Sequence, residues 1–88
     1  MPDSPDWFVY MVRCRDGSLY TGISTNVERR IREHNFDDRK GSRYVRSKRP
    51  VTLVYQEGCA DRSFASIREF QIRKMNKTAK EKLISGNR

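Results

Sequence analysis

Two tyrosines ten residues apart, an arginine, a histidine one helical turn beyond it and a glutamate in the C-terminal third are the groups here that could do chemistry together: Tyr10, Tyr20, Arg30, His34 and Glu69. Hydrolysis of a phosphodiester requires a water made nucleophilic, charge neutralised on the phosphoryl oxygens and a stabilised leaving alkoxide. Arg30 suits the second task, because a guanidinium is permanently charged and its fork of donors matches phosphate oxygens. Glu69 offers one carboxylate, and one carboxylate plus several waters is an ordinary way to hold Mg²⁺ near a phosphate. A tyrosine is a weak base, with a reference pKa of about 10, so Tyr10 or Tyr20 needs cations nearby or a partner that relays its proton. His34 could assist proton transfer or contact the phosphate.

Each of these residues also has a purely structural explanation. Glu69 could form an i,i+4 ion pair with Arg73, worth about 0.3–0.5 kcal/mol on an exposed helix. The tyrosines could be strand aromatics covering a core, and a lone histidine on an apolar helix face is more often a satisfied core residue. Taken singly, the structural explanations are the default.

The elements that must position these residues follow from local pattern. Residues 1–6, with Pro2, Pro5 and two aspartates, make a loosely held start. Trp7 to Cys14 is aromatic and β-branched and reads as a strand, and Ser18 to Ile23 returns as its hairpin partner. Loop length decides which side chains meet, because a shift of one residue moves a side chain to the other face. A two-residue Asp16-Gly17 turn sets Tyr10 opposite Ile23 and separates the tyrosines. A three-residue Arg15-Asp16-Gly17 loop, with Gly17 in the left-handed position of a type I turn plus bulge, sets Tyr10 opposite Gly22 and Val12 opposite Tyr20. The sequence permits both registers; turn chemistry together with the site that would result favours the second, in which Gly22 leaves room for a ring or a phosphate to approach the backbone.

Thr25-Asn26-Val27-Glu28 is a capping box that predicts a helix from Asn26 to about Asn35, capped by Thr25. Val27, Arg30, Ile31 and His34 share one face of it. From Phe36 to Pro50 the chain is polar, and Arg39 to Arg49 carries six positive charges and no negative one, so it reads as a basic loop. Val51 to Glu57 is a third strand. A helix from about Ser63 to Met75, capped by Asp61 or Ser63, aligns Ala65, Glu69, Ile72 and Asn76 in one stripe. Thr78-Ala79-Lys80-Glu81 is a second capping box, opening a short helix through Leu83 and Ile84 that Gly86 closes. The order ββαβαα is an α+β pattern, with a three-stranded antiparallel sheet flanked by helices.

The 88 residues fit a single domain, with an ordered core over about 7–85. Nineteen Lys and Arg against eleven Asp and Glu leave a formal charge of +8, in the range of domains that sit on phosphate backbones. Nucleic acid is the expected partner, and Arg39, Lys40, Arg43, Arg46, Lys48 and Arg49 are its candidate contacts, with Tyr44 able to stack on an unpaired base. Cys14 and Cys59 form no CxxC pair and His34 is the single histidine, so two structural thiols, a cytoplasmic setting and no zinc site are expected. The longest apolar run, Trp7 to Val12, is far too short to span a membrane.

Phe8-Val9-Tyr10, then Tyr20-Thr21-Gly22, Arg30, His34 and Glu69 together resemble the GIY-YIG nuclease family. The resemblance runs from Trp7 to about Ile84 and is closest to small stand-alone bacterial members. These share the stretch from Asp16 to Ile23, the helix carrying Arg29-Arg30-Ile31 and His34-Asn35, and Arg49-Pro50-Val51. Each tripeptide alone is weak, whereas five ordered positions with consistent spacing are specific. The resemblance implies a metal-dependent endonuclease acting on DNA with little sequence specificity. Arg30 would then stabilise the transition state, Glu69 would hold one Mg²⁺ or Mn²⁺ ion, and either Tyr10 or Tyr20 would be the base. Gly22 would serve backbone approach, and His34 stands where relatives carry histidine or tyrosine. DNA is favoured over RNA, a monomer is expected, and no organic cofactor or membrane is implied. Phe8 replaces the first glycine of the name motif, Val9 and Thr21 replace its isoleucines, and Ile23 stands where DNA-repair relatives have a lysine that could lower a tyrosine pKa. The alternative is a nucleic-acid-binding module with weak or no cleavage, acting on RNA or with a partner.

Overall fold

A central strand buried on both faces organises the chain, which a computed structural model describes over residues 5–86. Most of the loosely held start expected from sequence, residues 1–4, lies outside that range. Strand β1 (Trp7–Arg13) pairs antiparallel with β2 (Leu19–Ser24) on one side and with β3 (Thr52–Cys59) on the other, in the order β2-β1-β3. Helices α1 (Val27–Phe36) and α2 (Arg43–Arg46) cover one face, and α3 (Arg62–Arg73) and α4 (Lys77–Gly86) cover the other. None of the described helices is long and apolar enough to cross a membrane.

The continuous apolar run of β1 follows from its position, because a strand with helices above and below must bury alternate residues both ways. Tyr10 and Val12 join Cys14, Val27, Val45 and Val51 in one core. Val9 and Met11 join Tyr55 and Ile72 in the other, closed by Met75, Leu83 and Ile84. Cys14 and Cys59 are both free thiols.

The hairpin adopts the bulged loop. Gly17 takes φ +89° and donates to the Cys14 carbonyl at 2.9 Å, while Cys14 donates to the Ser18 carbonyl at 2.8 Å. Tyr10 therefore stands opposite Gly22 and Val12 opposite Tyr20, with both tyrosines on the α1 face. A Cβ at Gly22 would lie 2.5 Å from Tyr10 Oη and 2.8 Å from its ring carbon Cζ, so the glycine is the space the ring occupies.

Three local expectations are corrected. Asn26, not Thr25, caps α1: it has the extended backbone (φ −145°, ψ 93°), and its side chain accepts from the Arg29 amide at 3.0 Å. The Ser24 hydroxyl bonds both the amide and the carbonyl of Asn26, which places Asn26 at the boundary, and asparagine caps at least as well as threonine. Asn76, not Thr78, caps α4, accepting from the Ala79 amide at 2.8 Å. The basic segment is not all loop, because Ser42 caps the single turn of α2 and Val45 drops fully buried into the core. One buried apolar residue is enough to fold a short charged stretch onto a sheet. The third cap stands as Asp61, which accepts from the Phe64 amide at 3.0 Å.

The C-terminal end of α1 is fastened to the approach to β3. Arg49 donates to the carbonyls of His34 and Asp37 and to the Asp38 carboxylate, a cationic fork over the free carbonyl end of the helix. Asn35 exchanges hydrogen bonds with the Val51 backbone at 2.8 and 3.1 Å, like a strand partner. Gly22→Ala is expected to destabilise the fold by about 1–3 kcal/mol through overpacking against Tyr10. A denaturation midpoint equal to that of the parent protein would refute the close approach.

Candidate active site

The tyrosines of the hairpin and the histidine of α1 meet under the short helix α2. Tyr10 Oη and His34 Nε2 lie 2.8 Å apart, and both side chains are buried. The ring of Tyr20 meets His34 edge-on at 5.4 Å between centroids, and Tyr44 stacks on the outer side of Tyr20 at 5.8 Å with a 21° tilt.

Hydrogen-bond logic assigns the proton on the imidazole. The Ser42 amide donates to His34 Nδ1 at 3.2 Å, so Nδ1 carries the lone pair and the neutral ring holds its proton on Nε2. Nε2 therefore donates to the Tyr10 oxygen. That direction favours a negative charge on the phenol and leaves the hydroxyl proton free to point elsewhere. Burial, followed by the neighbouring Tyr20, holds the Tyr10 pKa above the ordinary tyrosine value; the charge of Arg30 opposes this, and Glu69 adds to it. Burial also pushes His34 down to about 4, aided by the charges of Arg30 and Arg49 and opposed by Glu33.

Arg30 lies on the α1 face beside Tyr10, with a side chain 27% exposed. Its Nη1 donates to Glu33 Oε1 at 2.9 Å and to the Lys40 carbonyl, which fixes the guanidinium at one corner. Glu69 comes from the opposite layer. Ala65 and Ile72 of its stripe are buried, and Glu69 emerges at the free edge of β2. There it lines a cleft of about 430 Å³ with Tyr20, Thr21, Tyr44, Arg73 and Lys80. The ion pair with Arg73 is present but loose, at 4.0 Å, with Arg73 63% exposed. A larger cleft of about 680 Å³, lined by Phe8, Val27, Ile31 and Leu53, holds none of the five residues of the motif. The smaller cleft holds two of the five, Tyr20 and Glu69, whereas Tyr10, Arg30 and His34 stand outside its lining.

Among the described residues no three His, Cys, Asp or Glu side chains gather as a metal cluster. A metal in the cleft would rest on the single carboxylate of Glu69, completed by waters and substrate oxygens. That donor set suits Mg²⁺ or Mn²⁺ and not zinc.

The basic segment divides in two. Arg46 donates to the Asp38 carbonyl, Lys48 pairs with Asp16 at 3.0 Å, and Arg49 caps α1, so these three hold the fold together. Arg39, Lys40 and Arg43 are exposed. Tyr44, expected to be available to a base, is stacked between Tyr20 and the Lys48 ammonium. Sequence inspection missed Ser42, which sets the histidine tautomer through its backbone and so leaves no side-chain signal. It also missed Arg73 and Lys80 as cleft residues, although Arg73 follows Glu69 by one helical turn.

The histidine makes acid stability testable. The folded protein keeps His34 neutral down to about pH 4, whereas the unfolded chain takes up that proton near its ordinary value of 6.5. The unfolded state thus binds the extra proton between those values, and stability falls as pH drops through that window. His34→Gln is expected to remove on the order of 2 kcal/mol of the difference in unfolding free energy between pH 7 and pH 4. An unchanged pH slope in denaturant titrations would contradict the buried neutral imidazole.

The family model for the GIY-YIG catalytic domain matches residues 6–82. A UPF0213 protein of Desulfotalea psychrophila is 56% identical over 85 residues, covering 97% of this chain and 76% of its own length. One from Staphylococcus haemolyticus is 48% identical over 77 residues, covering 88% of this chain and 92% of its own. The solution NMR structure of a UPF0213 protein from Bacillus halodurans superimposes with a TM-score of 0.57 at 35% identity, over 90% of this chain and 82% of that one. With the hairpin tyrosines, Arg30, His34 and Glu69 all inside the matched span, the chain belongs to the GIY-YIG nuclease family.

Proposed function

We propose that this protein is a metal-dependent endonuclease that hydrolyses phosphodiester bonds in DNA with little sequence specificity. The observation that carries this reading is the convergence of Tyr10, His34 and Tyr20 next to a cleft that also holds Glu69. Tyr20, partly exposed and lining the cleft, is the proposed base: its hydroxyl proton passes to solvent in the cleft, and the phenolate oxygen then takes the proton of the attacking water. Tyr10, 1% exposed, holds the His34 ring against which Tyr20 packs. Arg30 supplies a fixed positive charge for the phosphoryl oxygens, held in place by Glu33 and the Lys40 carbonyl. Glu69 would hold the divalent cation, which supplies charge neutralisation at the phosphate when bound. Little sequence specificity follows from the lining, since cations and aromatic faces contact phosphates and base planes and not base edges.

One observation favours a second reading, a nucleic-acid-binding module that cuts weakly or not at all. Arg30 is already engaged by Glu33 and the Lys40 carbonyl, and Ile23 supplies no cation beside the tyrosines. Steeply salt-dependent binding that needs no metal, without cleavage of any substrate, would establish it.

The discriminating experiment is a cleavage screen over linear, branched and single-stranded DNA and RNA with Mg²⁺ or Mn²⁺. Arg30→Ala and Glu69→Ala are expected to lower the rate by about 10²–10³-fold while binding changes little. Tyr20→Phe is expected to lower it by about 10²–10⁴-fold, as loss of a general base does. If Arg30→Ala and Glu69→Ala cut as fast as the parent protein, the site is misassigned.

A further inference from the structure

The strongest unassigned feature is a row of cations outside the basic segment. The carboxylate of Glu81 takes both Arg13 Nη nitrogens, at 2.8 and 2.7 Å, and so ties α4 to the end of β1. This tether sets the first turn of α4 beside the hairpin loop, where Lys77 Nζ donates to the Gly17 carbonyl at 3.1 Å. A small cleft of about 190 Å³ opens there, lined by Ser18, Leu19, Lys77 and Lys80. It shares Leu19 and Lys80 with the cleft that holds Glu69 and Tyr20. The two form one groove along the free edge of β2. Its outer wall carries Arg73, Lys77 and Lys80 against the single negative charge of Glu69.

We propose that this wall is a phosphate-binding track, in which Arg73, Lys77 and Lys80 hold the nucleic-acid strand running away from the scissile phosphate toward the hairpin loop. The inference rests on the nuclease reading of the cleft and deepens it by naming where the strand lies. Three features carry it. The groove is continuous with the tyrosine cleft. The ammonium groups of Lys77 and Lys80 belong to no ion pair within 4 Å among the described residues, unlike Lys48. Half of the cations of the basic segment, meanwhile, are consumed by the fold. A strand is a better occupant than an acidic peptide, because Tyr44 at the far end of the groove, although stacked on Tyr20, remains half-exposed and offers aromatic surface to a sugar or base.

The test is binding of a fluorescein-labelled single-stranded oligothymidylate across a salt series in EDTA, with cleavage of the same oligonucleotide in Mg²⁺ measured in parallel. Each phosphate contact on a single strand contributes about 0.7 to the log–log salt slope, so Lys77→Gln/Lys80→Gln should lose roughly 1.4 of slope and bind about 10–30-fold more weakly at 0.1 M salt. Lys80→Gln alone, which leaves the Gly17 contact intact, should lose about half of that slope. Arg62→Gln/Lys82→Gln removes the same charge outside the groove and should keep the parent slope. If the parent cuts nothing but the groove variants lose slope as stated, the nuclease reading fails and the track stands. If the parent cuts and the groove variants keep its slope, the track is overturned and the nuclease reading stands. Tighter binding of an oligoglutamate peptide than of the oligonucleotide, lost in the groove variants, would overturn the track in favour of protein docking.

Discussion

The hydrogen bond between Tyr10 and His34 is the interaction on which the site depends. It joins the central strand to α1, and through the Ser42 amide on the other imidazole nitrogen it reaches α2. Two buried polar groups that satisfy each other avoid the cost of stranding either one. Gly22 is the geometric condition of that pairing, because a side chain there would occupy the space of the Tyr10 ring. The ends of the aromatic chain differ in exposure: Tyr10 is sealed, whereas Tyr44 is open to solvent.

Charge in this protein has two uses, and the sequence does not separate them. Arg49 and Arg46 satisfy carbonyls around the end of α1, and Lys48 fastens α2 to the hairpin loop through Asp16. These cations close the layer that holds His34 and Tyr44. Arg73, Lys77 and Lys80 face the groove instead. A run of like charge in sequence thus became mainly scaffold, while a dispersed set on two helices became a wall of the cleft. The difference arises because α1 ends in unpaired carbonyls that attract nearby guanidinium groups, whereas the first turn of α4 lies against a strand edge.

Assembly from both faces of the sheet explains why a chain this small can build a site. Tyr10, Tyr20, Arg30 and His34 belong to the layer of α1, and Glu69 belongs to the layer of α3. Tyr20 and Glu69 line one cleft because β2 is an edge strand that α3 can pass. Ala65 and Ile72 anchor α3 on the far core, and the residue between them on the same stripe reaches the rim.

Local chemistry made much of this legible in the residues alone. The apolar run of β1, the turn at Asp16-Gly17, the shared face of Val27, Arg30, Ile31 and His34, and the stripe of Ala65, Glu69 and Ile72 all follow from periodicity and turn preference. Those same residues carried the family resemblance. The expected caps fall one residue early at α1 and two residues late at α4, because Thr25 and Thr78 are as suitable chemically as Asn26 and Asn76, and only the backbone path between elements chooses among them. The sequence permits two hairpin registers, and the fit of the Tyr10 ring over Gly22 goes with one of them. The histidine tautomer, the stacking of Tyr44 on Tyr20 and the division of the cations required tertiary structure. Each depends on a backbone amide, a carbonyl or a ring brought from another element, and no side-chain type in the sequence announces such a partner.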